Sequence, residues 1–346
     1  MKQVLLCTRY EYRKLMLFQK GLLILLIGCC LNGLLWGRTQ PNFYTCTFDP
    51  ALYKSYTAEF GGAYSEDTLT AIRQELSRQR TIAAATFETE ELSSDEYLQQ
   101  VNQIAIAQKK AEVLKAIESR YEALGELQAF RPLLTYDLEL TAFCSQFQQD
   151  WVTLLCISIF TCIILFADRR CGMEPLLYAT ATGKPRILQG KLLTLCSLAL
   201  GTACFFWLCR TGILWSRWDL GDLHAPIQSF SGFEACTLTL SGWGMLGLCG
   251  VIQTLSSLLL ALLLALLLSI LKNEVLGISV LAVLIGGGVF IDSPGSRIFA
   301  NPAAYLAGTP VIAQMSPVSC TLVLCAQGLL FAVLALGVYR IRIRQS

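Results

Sequence analysis

The chain has 346 residues, 54% of them hydrophobic and only 15% charged, with a mean hydropathy of +0.53 and a formal net charge of +2. Soluble domains carry about a quarter charged residues, so this composition excludes an ordinary water-soluble enzyme and points to an all-α integral membrane protein. No nucleic-acid partner is expected.

The charges are clustered, which lets the elements be taken in chain order. Residues 1–37 form a basic amphipathic segment, with Arg9, Arg13, Lys14 and Lys20, followed by an apolar run from Gly21 to Gly37. That run ends in Trp36-Gly37-Arg38 and lacks a small-residue cleavage site, so it reads as a retained first transmembrane helix with an interfacial anchor rather than a cleaved signal peptide.

Between residues 38 and 150 the chain turns charged and Gln-rich, with no run long enough to cross a bilayer, and reads as a large extracytoplasmic helical domain between transmembrane helices 1 and 2. Leu69, Ile72 and Leu76 mark an amphipathic helix over Glu66 to Ala85. Ser93 with Glu96 matches a capping box. It opens a long helix whose apolar stripe is Tyr97, Val101, Ile104, Ala111, Leu114, Ile117, Tyr121 and Leu124. The two stripes predict an antiparallel hairpin. Cys46 and Cys144 bracket the domain and either close it with a disulfide or stay free; sequence does not decide between these. Spacer and ligand-binding roles are both open for this domain.

Residues 151–346 supply five further uncharged stretches: Trp151 to Phe166, Leu192 to Cys209, Cys236 to Leu271, Val275 to Ile291 and Val318 to Tyr339. About 20 apolar residues span a bilayer core, so six transmembrane helices are expected in all. Cys236 to Leu271 is too long for one simple span. The favoured path is a single span near Gly250 to Leu271, preceded by an oblique or re-entrant piece around Gly242, Gly244 and Gly247. Within the spans ionisable residues are expected to be essentially absent, with Arg210 and Asp292 at outer ends.

Orientation follows from Lys and Arg near helix ends. With six spans and a cytoplasmic N-terminus, the inner segments hold fourteen of the 27 cations and four of the 25 acids. Both termini are therefore expected in the cytoplasm, with the protein multi-pass in a bacterial plasma membrane.

Chemistry is expected to be lacking. No GxxxxGK[ST] phosphate loop is present, because Gly183-Lys184 and Gly190-Lys191 lack its other residues. His224 is the one histidine, so histidine-based metal sites and catalytic dyads have at most one candidate. The chain reads as a non-enzyme without a cofactor, and the charge-free spans disfavour an ion-coupled carrier or channel.

The one sizeable inner loop, residues 168–191, carries Asp168, Gly172, Leu176-Leu177, Thr180 or Thr182, Gly183-Lys184 and Lys191 in that order. The order resembles the cytoplasmic loop of ABC exporter permeases of the second type, and the layout of one span, an outer domain and five spans is similar to theirs. Asp168 stands where Glu is usual, and Lys184 where Arg is common. The resemblance implies a permease subunit that moves an apolar, peptide or drug-like substrate outward, with energy from a separate cytoplasmic ABC ATPase subunit. It also implies a second permease copy or paralogue in the membrane lipid. Asp168, Gly172, Glu174, Leu177, Gly183, Lys184 and Arg186 are the residues expected to couple the loop to the ATPase. The competing reading is a non-transporting, membrane-anchored sensor or assembly protein with a helical outer binding domain.

Overall fold

The computed structural model describes the chain except residues 1, 42–46, 85–93, 147–150, 174–182, 272, 274, 281, 284–304, 307 and 345–346. The described residues are mostly helical, with almost no sheet. They run α1 (Lys2–Arg13), a π-helical turn (Lys14–Phe18), α2 (Gly21–Arg38), α3 (Pro50–Glu59), β1 (Gly62–Ala63), α4 (Glu66–Ala83) and α5 (Ser94–Glu126). There follow β2 (Leu133–Leu134), α6 (Leu138–Gln146), α7 (Trp151–Arg170), α8 (Gly183–Trp215), α9 (Gly242–Leu271), α10 (Thr309–Ala313) and α11 (Pro317–Arg344).

Five of these helices, α2, α7, α8, α9 and α11, are long and apolar enough to cross a membrane. The sixth expected span, Val275 to Ile291, falls largely outside the described residues, although residues 275–280 are helical. The chain divides into two compact units. Unit 1 holds Met1–Thr39, Phe147–Arg217 and Leu246–Ser346; unit 2 holds Gln40–Gln146 and Trp218–Met245.

In unit 1, α7 is the most enclosed of the long helices, and α2 and α11 are the most peripheral. Phe160 and Ile164 of α7, Leu195 and Phe206 of α8, and Leu262 and Leu268 of α9 form the core. Small residues bring helices close, as expected where lipid tails remove the hydrophobic contrast between helices. A Cβ on Gly28 of α2 would lie 2.7 Å from the Phe206 ring and 2.9 Å from Cys156 Sγ. The helix α9 is one continuous piece of 30 residues, or about 45 Å at 1.5 Å per residue. This corrects the expected oblique or re-entrant piece: Gly242, Gly244 and Gly247 are all helical, and residues 236–241 lie before the helix begins.

Unit 2 is built on the expected hairpin. Ser65 Oγ accepts from the Thr68 amide at 3.3 Å and caps α4, as an N-cap serine does. Leu69, Ile72 and Leu76 pack on Val113, Leu114, Ile117, Tyr121 and Leu124. The α5 stripe is fully buried only in its second half: Tyr97 is 45% exposed and Val101, Ile104 and Ala111 are half-buried, because α5 has 33 residues against 18 in α4 and outruns it. The Ser93 cap lies outside the described residues.

The second segment of unit 2 departs from the sequence division at residue 150. Residues 218–245 read as a short loop and the start of a span, yet Leu220, Leu223, Ile227, Phe230 and Phe233 are buried. Asp137, fully buried, accepts from the Ser231 amide at 2.8 Å and from Tyr53 Oη at 3.2 Å. Arg120 donates to the Ser229 carbonyl at 2.8 Å and pairs with Glu234. Gly221 has φ of +70°, and a Cβ there would lie 2.0 Å from the Tyr136 carbonyl oxygen, so only glycine fits.

Candidate functional site

The expected coupling residues separate into those the structure brings together and those it does not. Residues Glu174 and Leu177 lie outside the described residues. Gly183 and Lys184 form the first turn of α8, of whose side chains there nothing is described, and Arg186 is half-buried further along it. The helix opens with Pro185 in its first turn, where the missing N–H costs nothing.

Gly172 has a local role. Its φ is +65°, its amide donates to the Arg169 carbonyl at 3.1 Å, and the Met173 amide donates to the Asp168 carbonyl at 2.9 Å. These two bonds and the left-handed glycine are the Schellman arrangement that ends a helix. The glycine therefore terminates α7.

Asp168 is the centre of a buried cluster of charges. The residue is only 7% exposed. Its carboxylate accepts from Lys14 Nζ at 2.9 and 3.1 Å, and Lys191 Nζ lies 2.6 Å from its Oδ2. Lys14 also pairs with Glu11, 2.5 Å away. Two acids thus face two lysines, and the cluster is electrically balanced. Lone buried charges cost several kcal/mol each, so such groups persist only when paired. Burial would by itself lower the pKa of Lys14, but the bonds to Glu11 and Asp168 outweigh it and hold the ammonium above its ordinary value.

The elements that carry this cluster are fixed by close approach. A Cβ on Gly190 would lie 2.8 Å from Cys7 Cβ, so α1 rests directly on the α8 backbone. Tyr12 Oη donates to Ser197 Oγ at 2.5 Å, and Leu15 is fully buried. The π turn ends at Phe18, and Lys20, with φ of +57°, redirects the chain into α2. At the same end of unit 1, Arg342 of α11 donates to Ser269 Oγ of α9 at 3.0 Å and lies over the Phe166 ring of α7 at 5.5 Å.

The sequence places Lys191 only at the end of the inner-loop order and Lys14 only in a basic segment. The signal that was available is their neighbours: Lys14 stands one turn after Glu11, with which it pairs, and Lys191 directly follows Gly190, which permits docking. Arg210, expected at an outer end, falls at the twenty-eighth of the 33 residues of α8, just beyond the uncharged stretch Leu192 to Cys209. Arg210 is 2% exposed inside α8, where it donates to Gln253 Oε1 of α9 at 2.7 Å and lies 5.7 Å from the Trp36 ring of α2. The position is affordable because the guanidinium is hydrogen-bonded and stacked. Of the two cysteines that bracket the outer domain, Cys46 lies outside the described residues and Cys144 is half-buried. The chain matches none of the protein-family models, curated proteins or solved structures compared with it.

Proposed function

We propose that this chain is the permease subunit of an ATP-driven exporter of the second type. It works in a bacterial plasma membrane with both termini in the cytoplasm, alongside a separate cytoplasmic ATPase subunit and a second permease copy or paralogue. One observation carries the reading: Asp168 holds Lys191 on one side and Lys14 on the other. The first pair clamps the last turn of α7 to α8 about two turns beyond the start of that helix, across the loop that joins them. The second fastens the N-terminal helix to them. A push delivered to that loop by a closing ATPase pair moves α1, α7 and α8 as one body, which is what a switch between two packed states requires. The order of loop residues that resembles the exporter permeases supports the same reading.

The test is co-purification of a candidate ATPase with the wild-type chain, followed by ATP hydrolysis in the reconstituted complex. Glu174→Lys, in the loop itself, is expected to reduce association with the ATPase. Asp168→Asn is expected to spare association and uncouple hydrolysis from transport. Gly172 is a poor probe, since its replacement disturbs the end of α7. If no ATPase associates with the wild-type chain, the permease reading fails. For orientation, a cysteine at Thr237, which is exposed in unit 2, is expected to react with an impermeant reagent added outside cells; Ser229, being buried, is unsuited to that purpose.

The sensor reading has its own support in the composition of unit 2. Its two segments are continuous in sequence with α2, α7, α8 and α9, so a ligand bound there would address four long helices.

A further inference from the structure

Between α9 and α11 runs an apolar groove of about 630 Å³, within the range of roughly 300–1,000 Å³ typical of small-molecule sites. Leu260 and Leu263 of α9 and Leu330 and Leu334 of α11 line it, and none of its described lining residues is charged. Apolar walls alone would be the ordinary lipid-facing surface of two helices. Gln327 sets this surface apart. Its side chain lines the groove, the residue is 92% buried at 8% exposure, and it lies ten residues into α11. That places it about 15 Å along the helix axis, near the middle of a span.

The Gln327 amide is half satisfied. Nε2 donates to Ser256 Oγ of α9 at 3.2 Å, while Oε1 is buried without a hydrogen-bond partner. If the amide were turned over, the NH₂ would be left in the same position. Either way one polar group is stranded, and a stranded buried group costs its full desolvation penalty. Ser319, at the start of α11, does not relieve it, because its hydroxyl is engaged with the Ser316 carbonyl at 3.0 Å.

We propose that this groove binds the chain of a neutral amphiphile whose hydroxyl or amide head hydrogen-bonds Gln327. A hydroxyl or a secondary amide both donates and accepts, so it satisfies the amide in either orientation. A phosphate or carboxylate head would arrive without a cation among the described lining residues, and burying an unpaired charge is prohibitive. A second copy of the chain is the competing occupant. A helix is about 10 Å across, and one laid on the outer face of α11 meets exposed Leu329, Val333 and Leu336 rather than the enclosed Gln327 carbonyl. An alkyl chain is narrow enough to enter. That this ligand is cargo rests on the permease reading; that the groove binds it does not.

The experiment uses the full-length chain in lipid nanodiscs with three photoactivatable probes sharing one diazirine-bearing acyl chain: a monoacylglycerol, its dimethyl ether and a phosphatidylglycerol. Labelled peptides are mapped by mass spectrometry. The monoacylglycerol is expected to label residues 256–263 and 319–334 in preference to the other two. Leu260→Trp, which fills the groove, should abolish that labelling. Gln327→Leu should reduce monoacylglycerol labelling by about fivefold, the worth of one buried hydrogen bond, and leave the ether unchanged. Equal labelling by all three probes, or labelling indifferent to both substitutions, would mean bulk lipid contact and overturns the proposal. So does a disulfide between two copies of Gln327→Cys, which would place the amides against each other. If Gln327→Leu is not recovered folded, the comparison of probes on the wild-type chain decides. Preferential labelling in a chain that binds no ATPase would sink the permease reading alone. An ATPase-coupled chain without preferential labelling would sink the groove alone.

Discussion

Asp168→Asn removes one charge from a cluster that is balanced only because it has four. The amide keeps the shape of the carboxylate and can still accept one hydrogen bond, so the change isolates charge from packing. What remains is Glu11 against Lys14 and Lys191, with Lys191 the more enclosed of the lysines: its side chain is 5% exposed against 13% for Lys14. Breaking a buried pair by deleting one partner costs about 3–5 kcal/mol. The lower end applies here, because Lys14 retains Glu11 and its side chain is partly exposed. About 3 kcal/mol corresponds to a population change on the order of a hundredfold. It should appear as opening of the α1 contact, since α1 is the only partner not held by the continuous helices on either side of the loop. Hydrogen exchange on the chain in nanodiscs is the assay: amides of residues 2–18 are expected to exchange on the order of a hundredfold faster, while α7 and α8 change little. Restoring balance with Lys14→Met in the Asp168→Asn background leaves one acid, Glu11, and one lysine, Lys191, in the cluster, and should recover part of the protection in residues 2–18. Unchanged exchange in residues 2–18 would refute the claim that this ion cluster fastens α1.

Three other outcomes follow from the geometry. Gly190→Ala should loosen α1 by about 1–3 kcal/mol, because the new methyl meets Cys7 at 2.8 Å and overpacking has that cost; increased reactivity of Cys7 toward a thiol reagent would report it. In unit 2, Gly221→Ala should lower the thermal midpoint more than Gly232→Ala, whose added Cβ meets nothing within 4 Å although both glycines have positive φ; equal shifts would show that strain alone, and not the Tyr136 carbonyl, sets the cost. Lys54 sits 2.6 Å from Asp219, and its hydrogen bond holds the Asp219 carboxyl below the usual carboxylate range. A depressed carboxyl contributes stability above its unfolded pKa of about 3.9, and loses it as pH falls through the folded value. Both side chains are about half exposed, so Lys54→Met should flatten the acid limb of a urea titration by no more than about 1 kcal/mol.

The helices were legible wherever a period or a run marked them. The Leu69, Ile72, Leu76 spacing gave α4 to within two residues, and the apolar runs located α2, α7, α8 and α11. What stayed illegible was pairing between segments distant in sequence. Lys14 and Asp168 are 154 residues apart, and no local pattern distinguishes a lysine that will be buried against a carboxylate from one that anchors a helix at an interface. The same holds for Asp137 and Ser231, 94 residues apart: Phe230 and Phe233 read as apolar residues of a short loop because the surface that buries them belongs to another segment. Gly172 shows the converse. Its place in a family-like order points to coupling, yet its left-handed φ and two backbone hydrogen bonds explain it as the end of a helix.

The divided make-up of unit 2 also sets a timetable for synthesis. Residues 40–146 emerge first, and their buried Asp137 then has Tyr53 and Arg120 within its own segment but waits for Ser231. Before that partner exists, the ribosome must translate α7 and α8, and at about 5–20 residues per second the delay is several seconds. During that interval the incomplete unit presents its unfilled surface to solvent or to a chaperone. Contacts of such long sequence separation form slowly. A nascent chain arrested just after residue 217 should therefore be far more sensitive to protease in unit 2 than one arrested well beyond residue 245, and the maturation of this protein would be paced by its last-arriving strap rather than by its largest helical piece.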